Sequence, residues 1–460
     1  MRTASRTGPP AAGVAQRAAA AAALAGLAAA SLLVVAGAQG GLDVLVPAAK
    51  VRYPGWLHGP LGWLELDLAP SGLAALVLAM CACYLGVLAL ADAVARRTAV
   101  AAIVALHLAF ALAPPLLSSD VLGYVDLGRL GALHGIDPYS EESTPTPADE
   151  VRDYRRWGSD LPSPYGPLFT ASLYPLAPLG VAGALWALKA ILAAASLLTV
   201  GLVWRCAERL GRDPARAAMF VGLNPVLLVW GVGGAHNDFL LTLALCGGIL
   251  LALSGRERRA GAALTAAAAV KASAALPLAF MLAGSGRSAA AAGHADRPAA
   301  ARRGLAGRAP RREVLAGVAA AVAAVAVLTA AMFGTDAARI VTAIRDQQDT
   351  VALYSFPNRA GEWLGYGGLT DGMRAVAAAL LAGSVGWLLW RTWRGADWVA
   401  AAGWATFALL VTSAWLLPWY LVWLLPLAAL ADDSRLRAAA LAAGGFVVYT
   451  RVDLWLTLPS

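Results

Sequence analysis

Charged residues are scarce in this chain. They make up 14% of its 460 residues, against 59% hydrophobic, where a soluble domain averages about 25% charged. That shortage excludes an ordinary soluble fold. Lysine is scarcer still: Lys50, Lys189 and Lys271 are the only three. Arginine supplies the rest of the positive charge, and it gathers in short loops between apolar runs. The net charge of +8 therefore follows the loop pattern of a membrane protein and does not point to nucleic acid. Four cysteines, Cys81, Cys83, Cys206 and Cys246, lie in or at the ends of apolar segments. They have no zinc-like spacing with histidine, which excludes a disulfide framework and a structural metal. There is no nucleotide-binding glycine loop and no Asp-x-Asp pair in the arginine-rich loops, so no nucleotide cofactor or metal is expected. No internal repeat is visible.

What is present is long apolar runs. Several exceed eighteen residues almost without charge, enough to cross a bilayer as helix. Spanning segments must be helical because lipid offers backbone groups no partners. The expected fold is all-α: a polytopic bundle of about eleven to thirteen transmembrane helices, forming one membrane-embedded domain over 1–460. Arg2, Arg6 and Arg17 precede the first run, placing that end in the cytoplasm. Alternation from there puts the Arg96, Arg205–Arg216, Arg391–Arg394 and Arg435 loops inside, in the plasma membrane of a multi-pass protein. The acid-rich loop 118–165 and the loop 334–372 fall outside. The triplet Ala36-Gly37-Ala38 also fits a signal-peptidase site.

One segment resists alternation. SGRERR (254–259) and the Arg-rich stretch 284–312 flank a single apolar run, GAALTAAAAVKASAALPLAFMLAG. One span there would invert every later assignment. Two half-helices turning near Lys271 keep the charge rule, so a re-entrant hairpin is expected over Gly261–Ala283. The stretch 284–312 has the composition of a disordered cytoplasmic linker.

Polar residues collect on the outer side in four places: SSDVLGYVDLGRLGALHGIDPY with SPYGPLF, then GAHND, YSFPNRAGEW and LPWYLVW. An ionisable group at membrane depth costs roughly 2.5–3.5 kcal/mol, so His236, Asp238 and Lys271 mark a site by default. Asp120 follows a greasy run at once. It is read as the N-cap of an interfacial helix over 120–130 and also as a carboxylate available for chemistry. Asn237 or Asp238 can cap the helix that starts at Phe239. His134 reads as a surface residue. Arg359 has two readings, an ion pair with Glu362 or a cation for phosphate. Trp415, Trp419, Tyr420 and Trp423 are either an interfacial aromatic belt or a sugar platform.

These pieces, with NPVLLVWGVGGAHND and VKASAALPL, resemble in this order the polyprenyl-phosphate-mannose-dependent α-1,6-mannosyltransferases of actinobacterial envelope synthesis, within the GT-C glycosyltransferase superfamily. The resemblance covers roughly residues 118–426. It implies an inverting transferase with Asp120 as general base and no metal or cofactor. It implies a polyprenyl-phosphate-mannose donor in the outer membrane leaflet and a glycolipid or mannan acceptor. Tyr124, Arg129, Tyr139, Tyr165, His236, Asp238, Lys271, Arg359, Trp419 and Tyr420 are then the substrate-binding candidates. The chain departs from many GT-C enzymes in carrying its acid after the third apolar run. Asp43, Glu65 and Asp67, in the first outer loop, stay open as alternative bases. A transporter of lipid-linked sugar is the competing class, since it too would have broken helices and midplane charges.

Overall fold

The computed structural model describes residues 13–40, 54–141, 143–154, 161–285 and 311–457. Asp43 and nearly all of the 284–312 linker lie outside the described residues. Among the described residues the secondary structure is helical, with no strand.

The first helices are α1 (Val14–Gln39), α2 (Pro70–Ala89) and α3 (Arg96–Leu112). Then come α4 (Asp120–His134), α5 (Pro167–Leu173) and α6 (Gly180–Arg209). A bent pair follows: α7 (Pro214–Gly222) and a π-helical turn, Leu227–Gly233, at 65° to it. Next are α8 (Asp238–Leu253), α9 (Glu257–Val270) and α10 (Ala275–Gly284). The last part holds α11 (Arg311–Phe333), α12 (Ile340–Asp349), α13 (Phe356–Trp363), α14 (Asp371–Trp393), α15 (Trp398–Thr412), α16 (Leu421–Leu430) and α17 (Ser434–Thr457).

Six of these segments are long and apolar enough to cross a membrane, and seven if the bent pair is one span. About eleven to thirteen were expected from apolar runs alone. The difference comes in part from α8, α15, α16 and the half-helix after Lys271, which are apolar but too short to span. Such pieces survive where protein, not lipid, surrounds them. All ten residues of α16 are buried. By contrast, the apolar stretch of α14 has none of its residues buried within the protein, and that of α11 only 11%.

Side-chain contacts sort the loops into two ends. At one end Arg216 pairs with Asp92 at 3.1 Å, Arg209 reaches Ser254 at 3.3 Å, and Arg258 pairs with Glu313 at 3.1 Å. Arg212 lies within electrostatic range of Asp397 and Asp432. These are the arginine-rich loops. Asp120, His236, Asp238, Lys271 and Trp419 gather at the other end. The segment around Lys271 begins and finishes at the arginine-rich end. Its first helix starts beside Glu313, and the Gly284 that ends its second lies against Thr392 and Trp398. Lys271 itself, with extended backbone, is the point between them.

Two local features position the site. The helix after α3 does not float at the surface as a one-sided interfacial helix. Residues 121–128 of α4 are all buried, because the segment 167–179 folds across it. Gly128 and Gly131 let that segment pass: a Cβ at Gly128 would meet the Leu173 backbone, and one at Gly131 the Tyr174 ring. Second, the apolar run Phe220–Trp230 is broken at Asn224-Pro225. Proline cannot continue the hydrogen-bond ladder. The Asn224 side chain accepts from the N–H groups of Val226 (2.9 Å) and Leu227 (3.3 Å), so the second half restarts inside the bundle. Its π-helical turn delivers Gly233–Asp238 to the site.

Asn224→Leu leaves those two N–H groups buried without acceptors. It is expected to cost about 1–3 kcal/mol, read as a lower thermal midpoint in detergent. An unchanged midpoint would show that the break does not depend on this side chain.

Candidate active site

Asp120 is the first residue of α4, and Ser119 holds the N-cap position without a side-chain bond. The capping reading of Asp120 is thus corrected. The carboxylate is not spent on its own helix. Its backbone N–H donates to Ser118 Oγ at 3.1 Å. Its Oδ2 lies 3.4 Å from Nδ1 of His236, and its side chain is 33% exposed while His236 is fully buried. α4 is not among the membrane-spanning segments. Burial acts to raise the Asp120 pKa, but the His236 contact, the Ser118 hydroxyl and the charge of Lys271 outweigh it and hold the group below its ordinary value.

His236 is fixed from the far side by Trp419, whose ring stacks on the imidazole at 3.7 Å and 12°. The tight fold-back needs Gly234, because a Cβ there would fall 2.6 Å from Nε2 of His236. Asn237, not Asp238, is the N-cap of α8, again without a side-chain bond to that helix. Its Oδ1 instead accepts from the Tyr124 hydroxyl at 3.5 Å. Tyr124 packs edge-on against Tyr165 (5.2 Å) and Phe169 (5.0 Å).

Behind this layer is an ion pair. Asp238, fully buried, accepts through Oδ1 from Lys271 Nζ at 2.8 Å and from the Trp423 indole at 2.5 Å. Lys271 also lies 4.5 Å from the Tyr420 ring centroid and 5.2 Å from that of Trp423. Tyr420 and Trp423 stack on each other at 4.3 Å. One face of Trp419 is thus covered by His236, and Tyr420 is covered by Trp423 and Lys271. The cluster lies as a wall against these polar groups.

Several buried polar atoms in this cluster have no hydrogen-bond partner: both ring nitrogens of His236, Asn237 Nδ2, Asp238 Oδ2 and, next to Lys271, Ser273 Oγ. The Asp120–His236 contact is close but lacks hydrogen-bond geometry. Buried polar groups are normally satisfied, so unpaired donors and acceptors converging beside a half-exposed carboxylate describe a place shaped for a polar ligand. Among the described residues no group of three or more His, Cys, Asp or Glu side chains is arranged to hold a metal.

The structure thus brings together Asp120, Tyr124, Tyr165, His236, Asp238, Lys271, Trp419 and Tyr420. Three other candidates are engaged elsewhere. Arg129 pairs with Asp149 at 3.0 Å and Glu150 at 3.5 Å, and His134 joins the same Asp149 at 2.8 Å. Together they pin the loop after Pro138 onto α4. Arg359 pairs with Glu362 at 2.8 Å and Asp453 at 3.2 Å, which is its plain ion-pair reading. Tyr139 donates its hydroxyl to the Tyr165 carbonyl at 2.7 Å and packs on Phe333. It shapes the site from behind. The next residue, Gly166, donates its N–H to Val270 O at 3.0 Å, an approach a side chain would block. This joins SPYGPLF to the lysine turn. In the sequence Asn237 read only as a helix cap, and Trp423 as a residue of an aromatic belt or sugar platform.

A family model described as Alpha-(1->6)-mannopyranosyltransferase, N-terminal domain, matches residues 23–286. A second, the MptB C-terminal domain, matches residues 359–451. Alpha-(1->6)-mannopyranosyltransferase A of Corynebacterium glutamicum is 30% identical over 178 residues, 37% of this chain and 35% of that protein. The protein of the same name in Mycobacterium tuberculosis is 31% identical over 178 residues, 37% and 34% of the two chains. Alpha-(1->6)-mannopyranosyltransferase B of C. glutamicum is 27% identical over 387 residues, 76% of this chain and 60% of its own. The chain thus covers from about a third to 60% of the length of these relatives. No solved structure matches.

Lys271→Met removes one partner of a buried pair and leaves Asp238 uncompensated. We expect a loss of about 3–5 kcal/mol in stability. Adding Asp238→Asn should recover part of it, since the double variant no longer buries a lone charge. Thermal unfolding of the four proteins measures the coupling, and strictly additive losses would show that the pair contributes nothing as a pair.

Proposed function

The chain belongs to the alpha-(1->6)-mannopyranosyltransferase family, and from that premise we propose that it transfers a mannosyl residue from a polyprenyl-phosphate donor to a mannan or glycolipid acceptor. The transfer takes place on the extracytoplasmic face of the plasma membrane. The observation that carries this reading is Asp120: a partly exposed carboxylate held against His236 at the end of the bundle away from the arginine-rich loops.

The chemistry needs little else. An acceptor hydroxyl attacks the anomeric carbon of the donor. The new carbon–oxygen bond forms as the bond to the phosphate oxygen breaks. The hydroxyl proton passes to Asp120, and polyprenyl phosphate leaves as a stable anion with no acid required. One displacement inverts the centre, from β-linked donor to α-linked product. Such a base contributes roughly 10²–10⁴-fold. Lys271, 15% exposed beside Asp238, supplies the cation facing the departing phosphate. Arg129 and Arg359 are engaged away from the cluster that holds Asp120 and His236. Below Trp423 a small apolar crevice of about 10 Å³ opens between Leu241, Leu245, Pro277 and Leu409. His236, Asn237 and Tyr124 face the sugar side.

The test is purified protein in detergent with labelled polyprenyl-phosphate-mannose and an α-1,6-linked mannosyl acceptor. Asp120→Asn is expected to keep its thermal midpoint and lose about two to four orders of magnitude in turnover. Full activity in Asp120→Asn with loss in Glu65→Gln or Asp67→Asn would move the base to the first outer loop. Carrier movement across vesicles without product would mean a transporter.

The pH profile gives a second test. A carboxylate with a lowered pKa stays ionised as pH falls, until that lowered value is passed. The acid limb of turnover should therefore lie below the ordinary carboxylate range. His236→Phe removes the main influence that lowers it, so the acid limb should move to higher pH. A limb that stays in place would separate His236 from Asp120.

A further inference from the structure

Among the described residues only two non-glycine residues have left-handed backbone, Leu117 (φ 57) and Ala235 (φ 57). Such a conformation costs about 1–3 kcal/mol and persists only when its surroundings hold it. Both stand directly before the site: Leu117 ahead of Ser118–Asp120, Ala235 ahead of His236–Asp238. Each of the two turns thus aims one member of the Asp120–His236 contact. Something must keep them in register.

The tie is a single carbonyl. Gly233 O accepts the backbone N–H of Leu116 at 3.0 Å. It also accepts from Lys189 Nζ at 3.0 Å, and the same amino group reaches Phe110 O at 3.4 Å. Lys189 lies on α6 and is 1% exposed. It makes no ion pair with a carboxylate among the described residues. Its acceptors lie near the carboxyl ends of α3 and of the π-helical turn, where carbonyls lack helical partners and the helix dipole is negative. An ionisable side chain at this depth is costly, and none of the steps above uses it.

We propose that Lys189 is a positioning residue that fixes the Asp120 turn against the His236 turn by binding the ends of the two segments that carry them. This rests on the transferase reading of the site. It acts through backbone, so no substrate contact is required of it. An error of about 1 Å in such a register costs up to a hundredfold in rate.

The experiment is Lys189→Met, assayed per folded molecule beside the wild type. Turnover is expected to fall about ten- to a hundredfold, with the donor KM nearly unchanged. The acid limb should shift to higher pH, because Asp120 loses His236 while Ser118 and Lys271 still face it. Lys189→Arg, which keeps a donor, should recover part of the turnover. A residue that only stabilises the bundle would lower the thermal midpoint and leave turnover per folded molecule and the acid limb alone. That result overturns the proposal. Should Lys189→Met not fold, Lys189→Gln, which keeps one N–H for Gly233, is read by the same two measures. A wild type that forms no glycan product refutes the transferase reading itself. An active wild type with an equally active Lys189→Met refutes this inference alone.

Discussion

The Asp238–Lys271 pair is the constraint on which the rest of the site depends. Two opposite charges inside an apolar bundle must meet, because either one alone is far too costly there. Their meeting requires α8 to start at the level where α9 stops. It requires the chain to break at Lys271, and Trp423 to come close enough to donate to the same carboxylate oxygen. The 418–423 segment then follows, carrying Trp419 onto His236. One ion pair thereby sets the relative heights of three separate stretches of chain.

The second layer is assembled by backbone contacts, and it explains why the recognisable sequence pieces occur as a set. Tyr139 holds the carbonyl of Tyr165, and Gly166 holds that of Val270 beside Lys271. Tyr165 in turn packs on Tyr124, which reaches Asn237. The pieces IDPY, YGPLF, VK and GAHND form one chain of contacts. IDPY and YGPLF supply aromatic rings and a glycine, VK a carbonyl and a cation, and GAHND the glycine and polar groups that meet them.

Much of this was legible in the sequence. His236, Asp238 and Lys271 could be grouped because ionisable groups in apolar surroundings have few tolerable places to go except beside one another. Asp120 was singled out by its place directly after an apolar run and by the family resemblance. The helix break at Lys271 was legible from arginines on both flanks. Other features left weaker marks. Arg129 and Arg359 looked like free cations because Asp149 and Asp453 lie 20 and 94 residues away, although Glu362, three residues on, was in view. Lys189 binds carbonyls, which every residue possesses, so no spacing betrays its partners. The burial of α4 was hidden because the segment that covers it, 167–179, reads as the approach to a span. The aromatic wall looked like a belt because stacking with a histidine has no sequence period.

The exposure of the apolar stretch of α14 has a different kind of consequence. A helix that buries so little of itself in the chain it belongs to is only loosely constrained by side-chain fit. Its length and greasiness are the specification, and the bilayer supplies its solvent. Sequence drift along it is therefore nearly free so long as hydrophobicity is kept. The buried α16, with all ten residues enclosed, has almost no such freedom. On this ground the interior should change slowly and the rim faster.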